Sequence, residues 1–189
     1  MDTNRMEAFS DGVLAIVITI MVLKLEMPKQ VSLEAIRGTY PIFLSYILSY
    51  VYIAIYWTNH HHLLSMLNVV SGSILWKNLL WLFWMSLIPM ATEWIGINPF
   101  EELPTLIYGI ILFMCSISYI ILQSGVIKIN GKDSKISKSI GKDLKGKFCI
   151  VAYLISILFA MYYPIVSYII YIIVALVWVV PDKRLEEIS

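Results

Sequence analysis

Apolar residues run along this chain in long blocks, separated by short polar intervals. A bilayer-spanning helix needs about 20 such residues, and the blocks have that length. The first runs from Met6 to Leu25 and is followed by a polar interval, Glu26 to Tyr40, in which Pro28 ends the helix. Pro41 opens the second block, Ile42 to about Leu64, which closes on three histidines. A Ser/Asn/Gly segment, Ser65 to Ser73, makes a turn. The third block, from about Ile74 to Thr92, carries Lys77, Asn78 and Pro89, and an acidic loop, Glu93 to Leu103, follows it. Pro104 starts the fourth, which ends near Val126.

The last block is different. From Phe148 to Val180, 33 residues pass without a charged side chain. As one helix they would extend about 50 Å, against a hydrocarbon core of about 30 Å. Pro164 lies near the middle, so the pattern predicts two short spans with a turn around Tyr162 to Pro164. The expected fold is an all-α membrane protein with six transmembrane helices, forming a single domain over residues 1–189 in contact with the lipid bilayer. One tilted, kinked helix in the last block is the alternative, and it gives five.

Composition agrees. Of 189 residues, 59 % are hydrophobic and 14 % charged, and mean hydropathy is +0.79. Soluble domains hold roughly 45–50 % apolar residues. With six spans, eleven of the fourteen basic residues fall on the side of the N-terminus, seven of them between Lys128 and Lys147. Lys24, Lys29 and Arg37 fall on the other side. The positive-inside rule then predicts cytoplasmic N- and C-termini and a place in the cell membrane. Cys115 and Cys149 lie in or beside apolar blocks and read as buried thiols.

Candidate chemistry is sparse. No nucleotide loop or metal-ligand pattern is present, and no nucleophile is paired with a base. An enzyme, a cofactor, a fixed metal site and a nucleic-acid partner are therefore not expected. His60, His61 and His62 are adjacent, so on a helix they point three ways, a poor geometry for one metal. The first block does hold polar groups beside hydrocarbon: Arg5, Ser10 and Asp11. Such groups mark functional candidates, although a polar N-terminal cap is the simpler reading.

On a wheel of 100° per residue, Gly12, Ile16, Thr19, Ile20, Leu23 and Met27 share one face. Asp11 projects well away from it and Ser10 is displaced. The stripe offers a narrow, mostly dry path, with Thr19 as its hydroxyl. Every face of such a helix is apolar, however, and Thr19 also has a local use, a bond back to the Ala15 carbonyl. Asp11 needs partners, and His60 or His61, Trp57, Trp76 and Asn78 are the candidates.

Three motifs together resemble the transmembrane protein 175 family of potassium channels. They are Arg5-x-x-x-Phe9-Ser10-Asp11-Gly12, with Val-Leu-Ala-Ile and Thr19 after it; Trp57-Thr-Asn-His60-His61; and Asn78-Leu-Leu, with Ser86-Leu-Ile-Pro89 downstream. The resemblance implies a homotetramer when each chain carries one six-helix unit. It also implies a pore for potassium and other permeant monovalent cations, lined by the first helix, with Ile16, Thr19, Ile20 and Leu23 at the constriction. Arg5, Phe9, Ser10, Asp11 and Gly12 would form a structural network with His60, His61, Trp76 and Asn78. The carbonyl filter sequence TVGYG of ordinary potassium channels is absent. The competing expectation is a proton-coupled or other secondary transporter that uses Asp11 and the histidines as a relay.

Overall fold

The computed structural model describes residues 2–67, 69–131 and 144–179. Among them every regular element is a helix. α1 is Thr3–Leu23, α2 Leu33–Gly38, α3 Tyr40–Ser65, α4 Gly72–Ser86, α5 Ile88–Ile97, α6 Glu102–Asn130, α7 Leu144–Ala160 and α8 Pro164–Val179. α1, α3, the α4–α5 pair and α6 are long and apolar enough to cross a membrane, and α8 is a shorter apolar helix. The lysine-rich stretch 132–143 and the tail from 180, with Lys183 and Arg184, lie outside the described residues.

The helix ends follow local chemistry. α1 starts on Asp2, whose side chain accepts from the Asn4 amide, and stops at Leu23 with Lys24 as its cap. That is two residues short of the expected Leu25. The ring of Pro28 collides with a helical carbonyl four residues back, so the backbone leaves the helix at Lys24. The interval after it holds a short helix that the apolar pattern did not predict. α2 is capped by Ser32, whose hydroxyl accepts from Ala35 N–H at 3.1 Å.

The third block is two helices rather than one. α4 ends at Ser86 and α5 begins at Ile88, with Leu87 between them. Pro89 lacks an N–H and clashes with the carbonyl of Met85, which breaks the ladder there. The span also runs on to Ile97, so Glu93 stands inside α5 and not in an acidic loop. The last block divides as predicted. Its break falls at residues 161–163, where Tyr162 and Tyr163 N–H both donate to Phe159 O. α7 and α8 form an antiparallel hairpin: Ser167 Oγ donates to Ser156 O, and Trp178 Nε1 donates to Cys149 Sγ.

α6 is the central post, buried along most of its length and packed on α4, α5, α7 and α8. α3 packs on α5 and α8. Gly96 permits the α3–α5 contact, because a Cβ there would stand 2.9 Å from Ile42 Cα. Polar side chains cross between helices within this core. Ser49 and Tyr108 share a hydrogen bond of 2.9 Å, Thr92 donates to Ser49 at 2.6 Å, and Tyr171 donates to Thr105 O at 2.9 Å. In lipid each such bond contributes about 0.6 kcal/mol. α1 packs on α3, α4 and α5.

Candidate ion pathway and its polar anchor

The sequence of α1 gives it two faces. Met6, Ser10, Leu14, Val17 and Met21 recur every three or four residues and are buried. On the wheel, the stripe of Gly12, Ile16, Thr19, Ile20 and Leu23 lies more than a quarter-turn away, and all five residues are exposed. Ile16 is 60 % and Leu23 75 % accessible. A Cβ added at Gly12 would meet nothing within 4 Å, so the missing side chain serves no packing inside this chain. Thr19 Oγ1 donates to Ala15 O at 2.5 Å. That bond fixes the hydroxyl proton inward along the helix and leaves the oxygen lone pairs on the exposed side.

The opposite face is anchored by a directed chain of hydrogen bonds. His60 Nε2 donates to Asn78 Oδ1 at 2.8 Å, Asn78 Nδ2 donates to Ser10 Oγ at 2.9 Å, and Ser10 Oγ donates to Met6 O at 2.9 Å. Ser10, His60 and Asn78 are all buried. Each member sets the orientation of the next, and because an amide oxygen only accepts, His60 carries a proton on Nε2. Its ring stacks on Trp81 at 4.5 Å. A half-satisfied chain of this kind is costly in a low-dielectric interior, which makes α1, α3 and α4 one rigid unit at this level.

A second pair of bonds lies nearer the surface. Trp57 Nε1 donates to Asp11 Oδ1 at 3.0 Å, and His61 Nδ1 and Glu7 Oε1 are 2.6 Å apart. Glu7 and Asp11 are four residues apart on α1, and Trp57 and His61 four apart on α3, so the two faces match turn for turn. Glu7 and Trp81 were not singled out in the sequence. The i, i+4 pairing of two acids with Trp and His was the available signal for Glu7. At the other end of α1, Lys24 Nζ lies 3.2 Å from Glu93 Oε2, a clip to α5.

Several expectations need correction. Asp11 bonds Trp57 and neither histidine, so the histidines and Asp11 do not form a continuous relay. Trp76 is 75 % accessible and stands outside the network. It is two positions from Asn78, which on a helix is the other side. Arg5 makes no ion pair or hydrogen bond to any described residue, and Phe9 is exposed. On the wheel Arg5 and Phe9 fall in line with the exposed stripe, which is why the chain's own helices do not reach them. Among the described residues no cluster of His, Cys, Asp or Glu could hold a metal.

The family model described as endosomal/lysosomal potassium channel TMEM175 matches residues 5–89, the interval from Arg5 to Pro89 that holds all three motifs. A protein named as a potassium channel from Chryseobacterium sp. (strain P1-3) is 47 % identical over 187 residues, which cover 99 % of this chain and 97 % of that one. The chain belongs to the TMEM175 family. A second relative, named as a potassium channel from Chamaesiphon minutus, is 28 % identical over 127 residues, 62 % of this chain and 63 % of its own. The crystal structure described as a lysosomal potassium-selective channel TMEM175 homolog from Chamaesiphon minutus superposes with a TM-score of 0.81 at 24 % identity, covering 96 % of this chain and 98 % of the other. The helical arrangement above is therefore the TMEM175 fold. The family is one of ion channels and not of enzymes, and its member here is an integral membrane protein.

Proposed function

We propose that this TMEM175 family member conducts potassium passively through a pore at the centre of a homotetramer, with α1 of each subunit innermost. The observation that carries this reading is the exposed stripe Gly12–Ile16–Thr19–Ile20–Leu23, set opposite a face locked to α3 and α4. The relatives' naming as potassium channels supports the ion. Six spans per chain, cytoplasmic termini and a cell-membrane location complete the reading, on the basic-residue bias and the α7–α8 split. One α1 cannot enclose a path, and a closed cyclic ring can.

The mechanism follows from the side chains. Four Ile16 around an axis make an apolar collar that strips water from an ion without replacing it. Potassium holds its hydration shell less firmly than sodium, so the collar penalises sodium more. Thr19 lies almost one turn further along. Because its proton is committed to Ala15 O, its oxygen faces the axis as an acceptor and replaces part of the lost shell. Ile20 and Leu23 prolong the dry section.

Purified protein in liposomes under opposed potassium and sodium gradients tests the proposal. The expected result is an uncoupled current with a reversal potential displaced toward potassium. Flux that requires a proton gradient or a second substrate would favour a secondary transporter instead. A detergent-solubilised mass of one or two chains would contradict the tetramer.

A further inference from the structure

A groove of about 630 Å³ opens where α3 and α8 run side by side. Leu44, Leu48 and Val51 line one wall, and Ile169, Ile172 and Leu176 the other. Its few polar atoms are committed elsewhere. Ser45 Oγ donates to Pro41 O, and the Tyr108 hydroxyl at the floor is bonded to Ser49. Below Tyr40 the groove therefore offers mainly hydrocarbon and ring faces. From Tyr40 to Val51 it follows α3 for about 16 Å, close to the hydrocarbon depth of one leaflet, half of about 30 Å.

The end near α2 is built differently. Phe100 has φ 64, in the left-handed region that a residue with a Cβ adopts only at a cost. Its N–H donates to Tyr168 Oη at 3.3 Å, and the two rings lie 5.0 Å apart. The ring is 56 % exposed at the mouth of the groove. Tyr40 stands at the same mouth, in the aromatic setting typical of the bilayer interface. Arg37, three residues before Tyr40, is exposed and pairs with no described acid.

We propose that the groove holds one acyl chain of a phospholipid from the leaflet that carries α2, with Phe100 and Tyr168 beside the glycerol and Arg37 against the phosphate. Chain length and aromatic collar occur in the order that one phospholipid presents them, and Arg37 belongs to α2, the short helix that packs on α3 just before it. A guanidinium suits the phosphate because it matches its geometry with two parallel hydrogen bonds. The inference rests on the chain crossing a bilayer, and not on which ion it conducts or which terminus faces the cytoplasm.

The test uses the whole protein in phosphatidylethanolamine–phosphatidylglycerol liposomes, doped with phosphatidylglycerol that carries a diazirine at the end of one acyl chain. After irradiation, adducts are mapped by mass spectrometry. The expected yield at Val51 and Leu176 is several-fold above that at Phe83 and Val151, which are exposed on other helices. Ile172→Trp, or Leu44→Trp should the first not assemble, fills the groove and lowers the Val51 yield several-fold. Arg37→Gln lowers it as well. Equal yields at all four positions, unchanged by the tryptophan variants, would mean annular lipid only and overturn the proposal. A disulfide between copies carrying Ile47→Cys and Ile169→Cys would overturn it too, because a second chain would then occupy the groove. Labelling unaffected by Arg37→Gln would remove the phosphate contact.

Discussion

At the scale of single residues, Asn78 is the pivot. It accepts from His60 and donates to Ser10, so it joins three helices through one amide. Asn78→Ala leaves a buried His60 N–H without its acceptor, and such a group costs about 1–3 kcal/mol. The expected outcome is a lower melting temperature in detergent and a reduced yield of assembled protein, with the stripe chemistry untouched. Trp57→Phe removes a partner from a partly exposed carboxylate, and its effect should be smaller, under about 1 kcal/mol. An equal loss in both variants would mean that Asp11 is buried by assembly. The stripe residues were legible in the sequence because an angle on a helix is a property of the chain alone. Their partners were not, because spacing gives the direction of a side chain and not what stands there. Of the candidate partners for Asp11, Trp57 is the one that reaches it, and neither histidine does. Trp76, two positions from Asn78, falls on the other side of the helix and so outside the network.

At the scale of elements, prolines decide more than hydropathy does. Pro28, Pro89 and Pro164 each lie in or beside an apolar block, and each ends or divides a helix within a few residues. The division at Pro164 was legible because the block was too long to be one span. The break before Pro89 was hidden, since the third block had the right length for a single helix. That break interrupts the ladder, and Glu93, in the α5 that follows it, stands within reach of Lys24. Gly96 then sets how closely α5 approaches α3. Gly96→Val would force branched bulk against the Ile42 backbone, and overpacking of this kind costs about 1–3 kcal/mol. Thermal unfolding in detergent should show it. A variant as stable as the parent would mean that the α3–α5 contact is loose enough to open.

At the scale of the whole molecule, the described helices pack unevenly. α6 packs against four helices, while α1 is held on α3, α4 and α5 by one buried face. A single sequence names the stripe, and the ring proposed above is inferred from it. Opening the collar should need only one polar substitution. Ile16→Asn is expected to wet the constriction and raise single-channel conductance, and Thr19→Val to bring the potassium and sodium reversal potentials closer while leaving assembly intact. Unchanged permeation in both would shift the constriction toward Leu23. The most direct test of the central claim is access to α1 from within the conducting path. Cysteines placed one at a time at Ile16, Thr19 and Leu23, and as a control at the buried Leu14, are exposed to silver ions during current recording. Native Cys115 and Cys149 are buried, so the parent should be insensitive. The account predicts rapid block at the three stripe positions and none at Leu14. Block at Leu14 with free conduction through the stripe variants would contradict it.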